Sequence, residues 1–309
     1  KVLGASWATV LLLADRLGRK VEWGSLDDLG ARVAEELGWL RLAAATDGNH
    51  GRAVAHMARL LGAGATIAVP EGTAQARIDG IASEGAEVIV CPGTYEDAVT
   101  LVAGMASDTT LVVSDTSWPG YQDVPKRVIE GYSTIFAEIE EQAEGTVIDL
   151  AVVPLGVGAL GASAGTCLRA GRAPGEGPVL VGVEPESAAC VVAAVKAGHL
   201  VEVPGPHDSI MAGLNCGLAS MLALPTVTAA FDAFLAIDDD RCRQAIRALA
   251  DAGLDVGETG AAALAGLLAL TDEHRDALPV PDTATVLLLV TEGVTDPANF
   301  ERIVGRPPH

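Results

Sequence analysis

Residues 41–70 read RLAAATDGNHGRAVAHMARLLGAGATIAVP, and their pattern decides the fold class. Leu42–Ala45 is a short apolar run and predicts a strand, Gly51–Leu61 carries apolar residues at helical spacing, and Thr66–Val69 is a second strand-like run. Between the first strand and the helix lie only polar residues and glycines, from Thr46 to Gly51. The rhythm continues with a helix over Ala74–Glu84, a strand over Glu87–Cys91, a helix over Tyr95–Ser107 and a strand over Thr110–Ser114. Such alternation specifies a parallel sheet with right-handed crossovers.

Working outward, Ser6–Leu17 and Leu26–Leu37 read as helices. Past a turn at Trp118-Pro119-Gly120, a helix is expected over Val128–Glu144, then a strand over Val147–Pro154, a helix over Ala162–Ala170 and a strand over Val179–Val183. Ser220–Ala230, interrupted at Pro225, then Asp239–Asp251 and Gly260–Ala269 follow as helices, and Thr285–Val290 suits a buried strand. The expected architecture is α/β, with two open parallel-sheet lobes carrying helices on both faces. A small domain would span 41–124, and residues 1–40 and 125–309 would form a large one.

The chain has 309 residues, enough for a sizeable core. Acidic residues outnumber basic ones by 41 to 20, a net charge of −21, which argues against a nucleic-acid partner or an anionic membrane surface. The longest uncharged run, Leu150–Leu168, holds Pro154 and several glycines and is not read as a membrane span. Cys91, Cys167, Cys190, Cys216 and Cys242 form no CxxC pair and sit among apolar neighbours, as expected of free thiols in a reducing cytoplasm. No Cys/His spacing suits zinc, so no metal is expected. The lysines are only Lys1, Lys20, Lys126 and Lys196, which makes each one conspicuous.

Three strand-end clusters could carry chemistry. Gly156-Val157-Gly158-Ala159-Leu160-Gly161 follows an apolar strand and precedes a helix, the setting in which glycines let backbone amides approach a phosphate. Glu184 ends the next strand, where a dinucleotide fold would hold a ribose, so a nicotinamide or flavin enzyme is one reading. Another phosphate-bearing cofactor, or a plain tight turn, would use the same glycines. Thr46–Gly51 sits where open α/β sheets bind ligands, although Asp47 or Asn49 could serve simply as a helix cap. Thr291-Glu292-Gly293-Val294-Thr295-Asp296 is a third polar cluster after a strand.

Taken in order, these segments resemble the pyridoxal-phosphate enzymes of the tryptophan-synthase-β fold (fold type II). The stretch Ala45-Thr46-Asp47-Gly48-Asn49-His50-Gly51-Arg52 looks like their asparagine loop, and its TDGNHGR form is similar to the diaminopropionate ammonia-lyase family. Support runs along the chain in Thr73–Asp79, Asp115–Tyr121, Val183–Glu186, Ile210–Gly217, Gly257–Gly260 and Thr291–Asp296. The opening Lys1-Val2-Leu3-Gly4-Ala5-Ser6 resembles the segment holding the cofactor lysine.

The resemblance implies pyridoxal 5'-phosphate as cofactor and Lys1 as the residue that binds it through a Schiff base. It places Asn49 on the cofactor's phenolic oxygen, Gly156, Val157, Gly158, Ala159 and Leu160 around the phosphate, and Thr291 at the pyridine nitrogen. Asp47 and Asp115 match two aspartates thought to move protons on D- and L-substrates. The implied reaction is α,β-elimination of diaminopropionate to pyruvate and ammonia by a lyase acting on a small amino acid, and a homodimer is expected. The chemistry is coherent: a nucleophilic lysine must be unprotonated, and ammonia leaves readily only after protonation by a nearby acid.

Two positions depart from the family pattern. Val294 stands where TEGDTD has an aspartate, and Pro119 replaces the glutamate of WEGY. The loss at Val294 keeps open another amino-acid dehydratase or desulfhydrase acting on serine, threonine or a cysteine-like substrate. The family's chains extend upstream of this lysine, so the sequence is expected to be partial, with a catalytically inactive relic as the other reading. A Rossmann-type NAD-dependent dehydrogenase explains only the glycine loop and Glu184, and leaves TDGNHG without a role.

Overall fold

The computed structural model describes residues 1–18, 23–46, 48–173, 176–270, 274 and 277–309. The chain divides into two compact units, Lys1–Tyr132 and Ser133–His309. The first runs α1 (Val2–Arg16), α2 (Leu26–Leu37), β1 (Arg41–Ala45), α3 (Asn49–Leu60), β2 (Gly64–Pro70), α4 (Gln75–Ala82), β3 (Glu87–Cys91), α5 (Tyr95–Ala103), β4 (Thr110–Val112) and α6 (Asp123–Gly131). Its sheet is wholly parallel in the order β3-β2-β1-β4. Helices α3 and α5 cover β1 and β2, so both strands are buried almost throughout. Gly51 lets α3 lie close to the sheet, because a Cβ there would come 2.4 Å from both Ile67 and Thr46.

The second unit runs α7 (Ser133–Gln142), β5 (Leu150–Pro154), α8 (Ala159–Arg169), β6 (Val179–Pro185), α9 (Cys190–Ala197), α10 (Leu224–Ala230), β7 (Ala233–Ile237), α11 (Asp239–Asp251), α12 (Glu258–Ala269), β8 (Val286–Leu288) and α13 (Pro297–Val304). The sheet order is β7-β6-β5-β8, again all parallel. Alternation sorts the strand residues: Val179, Val181 and Val183 join the core built with α11 and α12. Gly182, on the other face, admits Leu155, which a Cβ there would approach to 2.4 Å. Every residue of β5 and β6 is buried, as expected of central parallel strands.

The two sheets share one topology. In each, three strands step outward in sequence, and the fourth returns to the far side of the first. The order therefore reverses between β1 and β4 and between β5 and β8, and open α/β sheets bind ligands beyond the carboxyl ends of the strands at such points.

Several expected boundaries shift for identifiable reasons. The helix expected over Val128–Glu144 is two, α6 and α7, with a break at Tyr132. Pro225 starts α10 rather than interrupting a longer helix, since its missing N–H falls in the first turn. Strand β4 ends at Val112, because the Ser114 amide donates to the Tyr121 hydroxyl (3.1 Å) instead of continuing the ladder. Helices α9 and α13 and strand β7 fall in stretches too short or too small-residued to show a period.

Candidate active site

In the first unit the polar groups gather beyond the carboxyl ends of β1 and β4. Asp115 follows β4 and is buried, and Lys1 Nζ donates to its Oδ2 at 2.6 Å. The Tyr95 hydroxyl, at the start of α5, donates to Oδ1 at 3.2 Å. His50 Nδ1 lies 3.8 Å from Oδ2, and His50 Nε2 is 2.8 Å from the Val113 carbonyl oxygen. Lys1 reaches this place because α1 and α6 cross with their backbones nearly touching. A Cβ on Gly4 would come 2.7 Å from the Val128 carbonyl oxygen, and one on Gly131 would come 2.6 Å from that of Leu3.

Burial alone would raise the Asp115 carboxyl, but the charge of Lys1, with hydrogen bonds from Lys1 and Tyr95, holds it far below the usual carboxylate range. His50 is fully buried, and burial lowers it despite the neighbouring carboxylate. His50 is thus neutral at ordinary pH, and Lys1 supplies the positive charge that keeps Asp115 ionised.

The turn that carries Asp115 is fixed by Trp118-Pro119-Gly120-Tyr121. Trp118 and Tyr121 exchange backbone hydrogen bonds and stack their rings at 4.2 Å. Pro119 and Gly120 (φ +86°) fill the two central turn positions, where proline followed by left-handed glycine is favoured. Tyr121 Oη also donates to the Val112 carbonyl at 2.8 Å. Pro119 therefore suits its turn on backbone grounds. Asn49 opens α3 half-buried, and Asp47 lies outside the described residues.

In the second unit, β5 runs through Leu155–Gly158 directly into α8. Gly158 adopts φ +98°, which strains any residue with a Cβ, and no side chain caps α8. The first amides of α8 thus have no partner within their helix, an arrangement that suits an anion at a helix N-terminus. Gly156 packs tightly on the 213–216 segment, where a Cβ would meet the Gly213 carbonyl oxygen at 3.2 Å. A phosphate fits this all-backbone cradle. Helix α8 begins three residues earlier than expected, so Ala159 and Leu160 form its first turn.

Glu184, the acid a dinucleotide site would turn toward a ribose, is otherwise engaged. Its oxygens accept the Val191 and Val192 amides of α9 at 2.8 and 2.7 Å. Burial pushes its carboxyl up to about 7 against those hydrogen bonds. Thr291 is exposed beyond β8, while the adjoining Glu292 is buried and accepts the Thr259 amide at 2.9 Å. Val294 packs against the apolar core with α11 and α12, so this departure from the family pattern has a packing role. Asp296 caps α13 through the Asn299 amide (3.0 Å).

The geometry meets known proteins at this point. Residues 24–292 match the family described as pyridoxal-phosphate dependent enzyme. The chain is 32% identical to diaminopropionate ammonia-lyase of Escherichia coli strain K12 over 323 residues, covering all of this chain and 80% of that one. The chain belongs to the pyridoxal-phosphate dependent enzymes. A crystal structure of the E. coli enzyme with an aminoacrylate-PLP azomethine reaction intermediate superposes with a TM-score of 0.86 at 30% identity, over 98% of this chain and 78% of that one. The same enzyme in complex with D-serine gives a TM-score of 0.89 at 30% identity, over 98% and 79%. The fold is therefore that of fold type II enzymes, and pyridoxal 5'-phosphate is the family's cofactor. Among the described residues, no helix is long and apolar enough to cross a membrane.

Sequence reasoning placed Lys1 and Asp115 in one site, and the structure brings their side chains into contact. It missed Tyr95 and gave His50 no role of its own. Tyr95 opens a helix through a Thr94–Asp97 capping box, a signal that announces the helix start and conceals the hydroxyl's direction.

Proposed function

We infer that this protein catalyses the pyridoxal-phosphate-dependent α,β-elimination of diaminopropionate to pyruvate and ammonia. The observation that carries the reading in this chain is the 2.6 Å contact of Lys1 Nζ with buried Asp115, at the point where strand order reverses. Bound cofactor supplies an electron sink for the pair left behind when the substrate's α-proton departs. Every remaining task falls to side chains and amides of this chain.

Lys1 Nζ holds the cofactor and must shed a proton to act as a nucleophile. Asp115 Oδ2, already hydrogen-bonded to Nζ, is placed to receive it. Asn49 orients the cofactor's phenolic oxygen, the amides of Gly156, Val157, Gly158, Ala159 and Leu160 bind its phosphate, and Thr291 faces its ring nitrogen. Asp115 and Asp47 take the α-proton from the two stereoisomers, one each. The β-amino group leaves as ammonia after receiving a proton, and the released enamine hydrolyses to pyruvate and a second ammonia.

The subdivision into a small domain at 41–124 and a large domain from both ends belongs to the same reading, supported by one complete sheet within 41–112 and another within 150–288. So do a homodimer and a cytoplasmic location, the latter supported by five free cysteines. Light scattering would test the dimer. The enzyme reading is tested by pyruvate release from D- and L-diaminopropionate, together with borohydride reduction and peptide mapping. Label on Lys1 with turnover of either isomer is expected, and turnover of serine or threonine alone would move the reading to a dehydratase.

A further inference from the structure

His50 carries a bare, buried nitrogen with no assigned role. The Val113 carbonyl oxygen can only accept, so Nε2 must be the protonated ring nitrogen of the neutral imidazole. Nδ1 is then an unprotonated acceptor, and it has no hydrogen-bond partner among the described residues. It sits 3.8 Å from Asp115 Oδ2, the same oxygen that Lys1 Nζ reaches at 2.6 Å. An orphaned buried acceptor is costly unless some other state of the site uses it.

We propose that His50 Nδ1 stores the proton that Lys1 must give up, receiving it by way of Asp115 Oδ2. This rests on the roles of Lys1 and Asp115 inferred above. The Nζ–H bond breaks toward Oδ2, the Oδ2–H bond breaks toward Nδ1, and an Nδ1–H bond forms. Lys1 passes from ammonium to amine, His50 from imidazole to imidazolium, and Asp115 is a carboxylate before and after. Net charge in the buried cluster is unchanged, and no co-reactant is needed. The new imidazolium keeps Asp115 as its counter-ion while Lys1 is engaged elsewhere, and the return of the proton restores the ammonium.

The other groups facing this cluster cannot take that part. The Tyr95 hydroxyl is already spent as a donor to Oδ1, and burial pushes Tyr132 up to about 12, which keeps its hydroxyl protonated. His50 itself is lowered first by burial; Asp115 raises it, and the Lys1 side chain lowers it. Removing the Lys1 charge therefore raises His50, the direction the transfer requires. His50 acts through Asp115 and does not itself meet the substrate.

The test uses a variant that keeps the structural bond and loses the base. In His50→Gln the side-chain amide still donates to Val113, but no basic nitrogen replaces Nδ1. We expect kcat to fall about tenfold with KM within about twofold, and the acid limb of the kcat–pH profile to change. Wild-type rate and profile in His50→Gln would overturn the proposal, since a purely structural histidine predicts them. Imidazole nitrogen NMR provides a readout free of turnover. The His50 pKa should rise by about one unit or more in Lys1→Met, and fall back when Asp115→Asn is added. An unmoved His50 titration in Lys1→Met would sink the idea even if His50→Gln failed to fold. Full activity in Asp115→Asn would instead overturn the inferred role of Asp115.

Discussion

Asp115 and Glu184 are both buried carboxyl groups just beyond or at the ends of parallel strands, yet their pKa values are shifted in opposite directions. Asp115 follows β4, touches Lys1, and stays ionised far below the usual carboxylate range. Glu184 ends β6, meets backbone amides, and is pushed up to about 7. Burial opposes charge at both. A formal positive charge in contact overturns it at Asp115, whereas amide dipoles do not suffice at Glu184. A buried acid can thus serve as a charged working group or as a helix anchor, and its partner decides which. The same contrast runs between the units: charged side chains gather beyond the end of β4, and uncapped backbone amides beyond the end of β5.

The sharpest break falls on the charged end. Lys1→Ala should abolish turnover, by about 10,000-fold or more, as losses of a covalent nucleophile do. Asp115→Asn should lower kcat by about a hundredfold to ten-thousandfold on the isomer it serves while turnover of the other isomer suffers less. Steady-state assays with separate D- and L-diaminopropionate read this directly, and equal losses on both would remove the division of labour between Asp115 and Asp47. Lys1→Ala leaves Asp115 buried without its cation, so melting temperature should fall in that variant too, and the rate is compared on folded protein.

At the backbone-built end the order reverses. Gly158→Val places a branched side chain at φ +98°, with a strain of about 1–3 kcal/mol. Ala223 would lie 3.3 Å from even the first added carbon. Pyridoxal-phosphate affinity, read by equilibrium titration of the visible band, should weaken at least about tenfold. Unchanged affinity in a folded variant would separate this loop from the phosphate.

How far the sequence reached follows the same division. The strand–helix rhythm of 41–70 was legible because apolar runs and glycine-rich joints repeat at short range. The ends of β1 and β5 were legible as polar or glycine-rich interruptions of that rhythm. The 2.6 Å contact of Lys1 with Asp115 was not, because 114 residues separate them and no local pattern encodes a contact made by tertiary packing at Gly4 and Gly131. Glu184 was misleading for a related reason. Its spacing after the glycine loop suits a ribose ligand, but its partners Val191 and Val192 are ordinary apolar letters whose amides carry the interaction. Val294 and Pro119 looked like losses when only side-chain chemistry was weighed, and become intelligible through core packing and a turn.

The effect furthest from turnover concerns Glu184 alone, and its sign is the reverse of the usual carboxylate case. A folded-state pKa of about 7 against an ordinary 4.5 means that the native protein binds the proton more tightly than the unfolded chain. Its contribution to stability is complete below about pH 4.5 and drains away as pH rises through 7, by up to about 3 kcal/mol. Asp115 acts in the opposite sense, stabilising above its ordinary value of 3.8 and losing that contribution only under stronger acid. The Asp115 window lies below pH 5, whereas buried His50 adds stability as pH rises toward its ordinary 6.5, so it is the difference between wild type and Glu184→Gln, measured in denaturant from pH 5 to 8, that isolates Glu184. Glu184→Gln should flatten the decline across that range, whatever it does to stability at a single pH. If wild type and Glu184→Gln lose stability in parallel between pH 5 and 8, the amides of α9 hold Glu184 charged after all. Contact with a formal cation would then not be what separates the two buried acids.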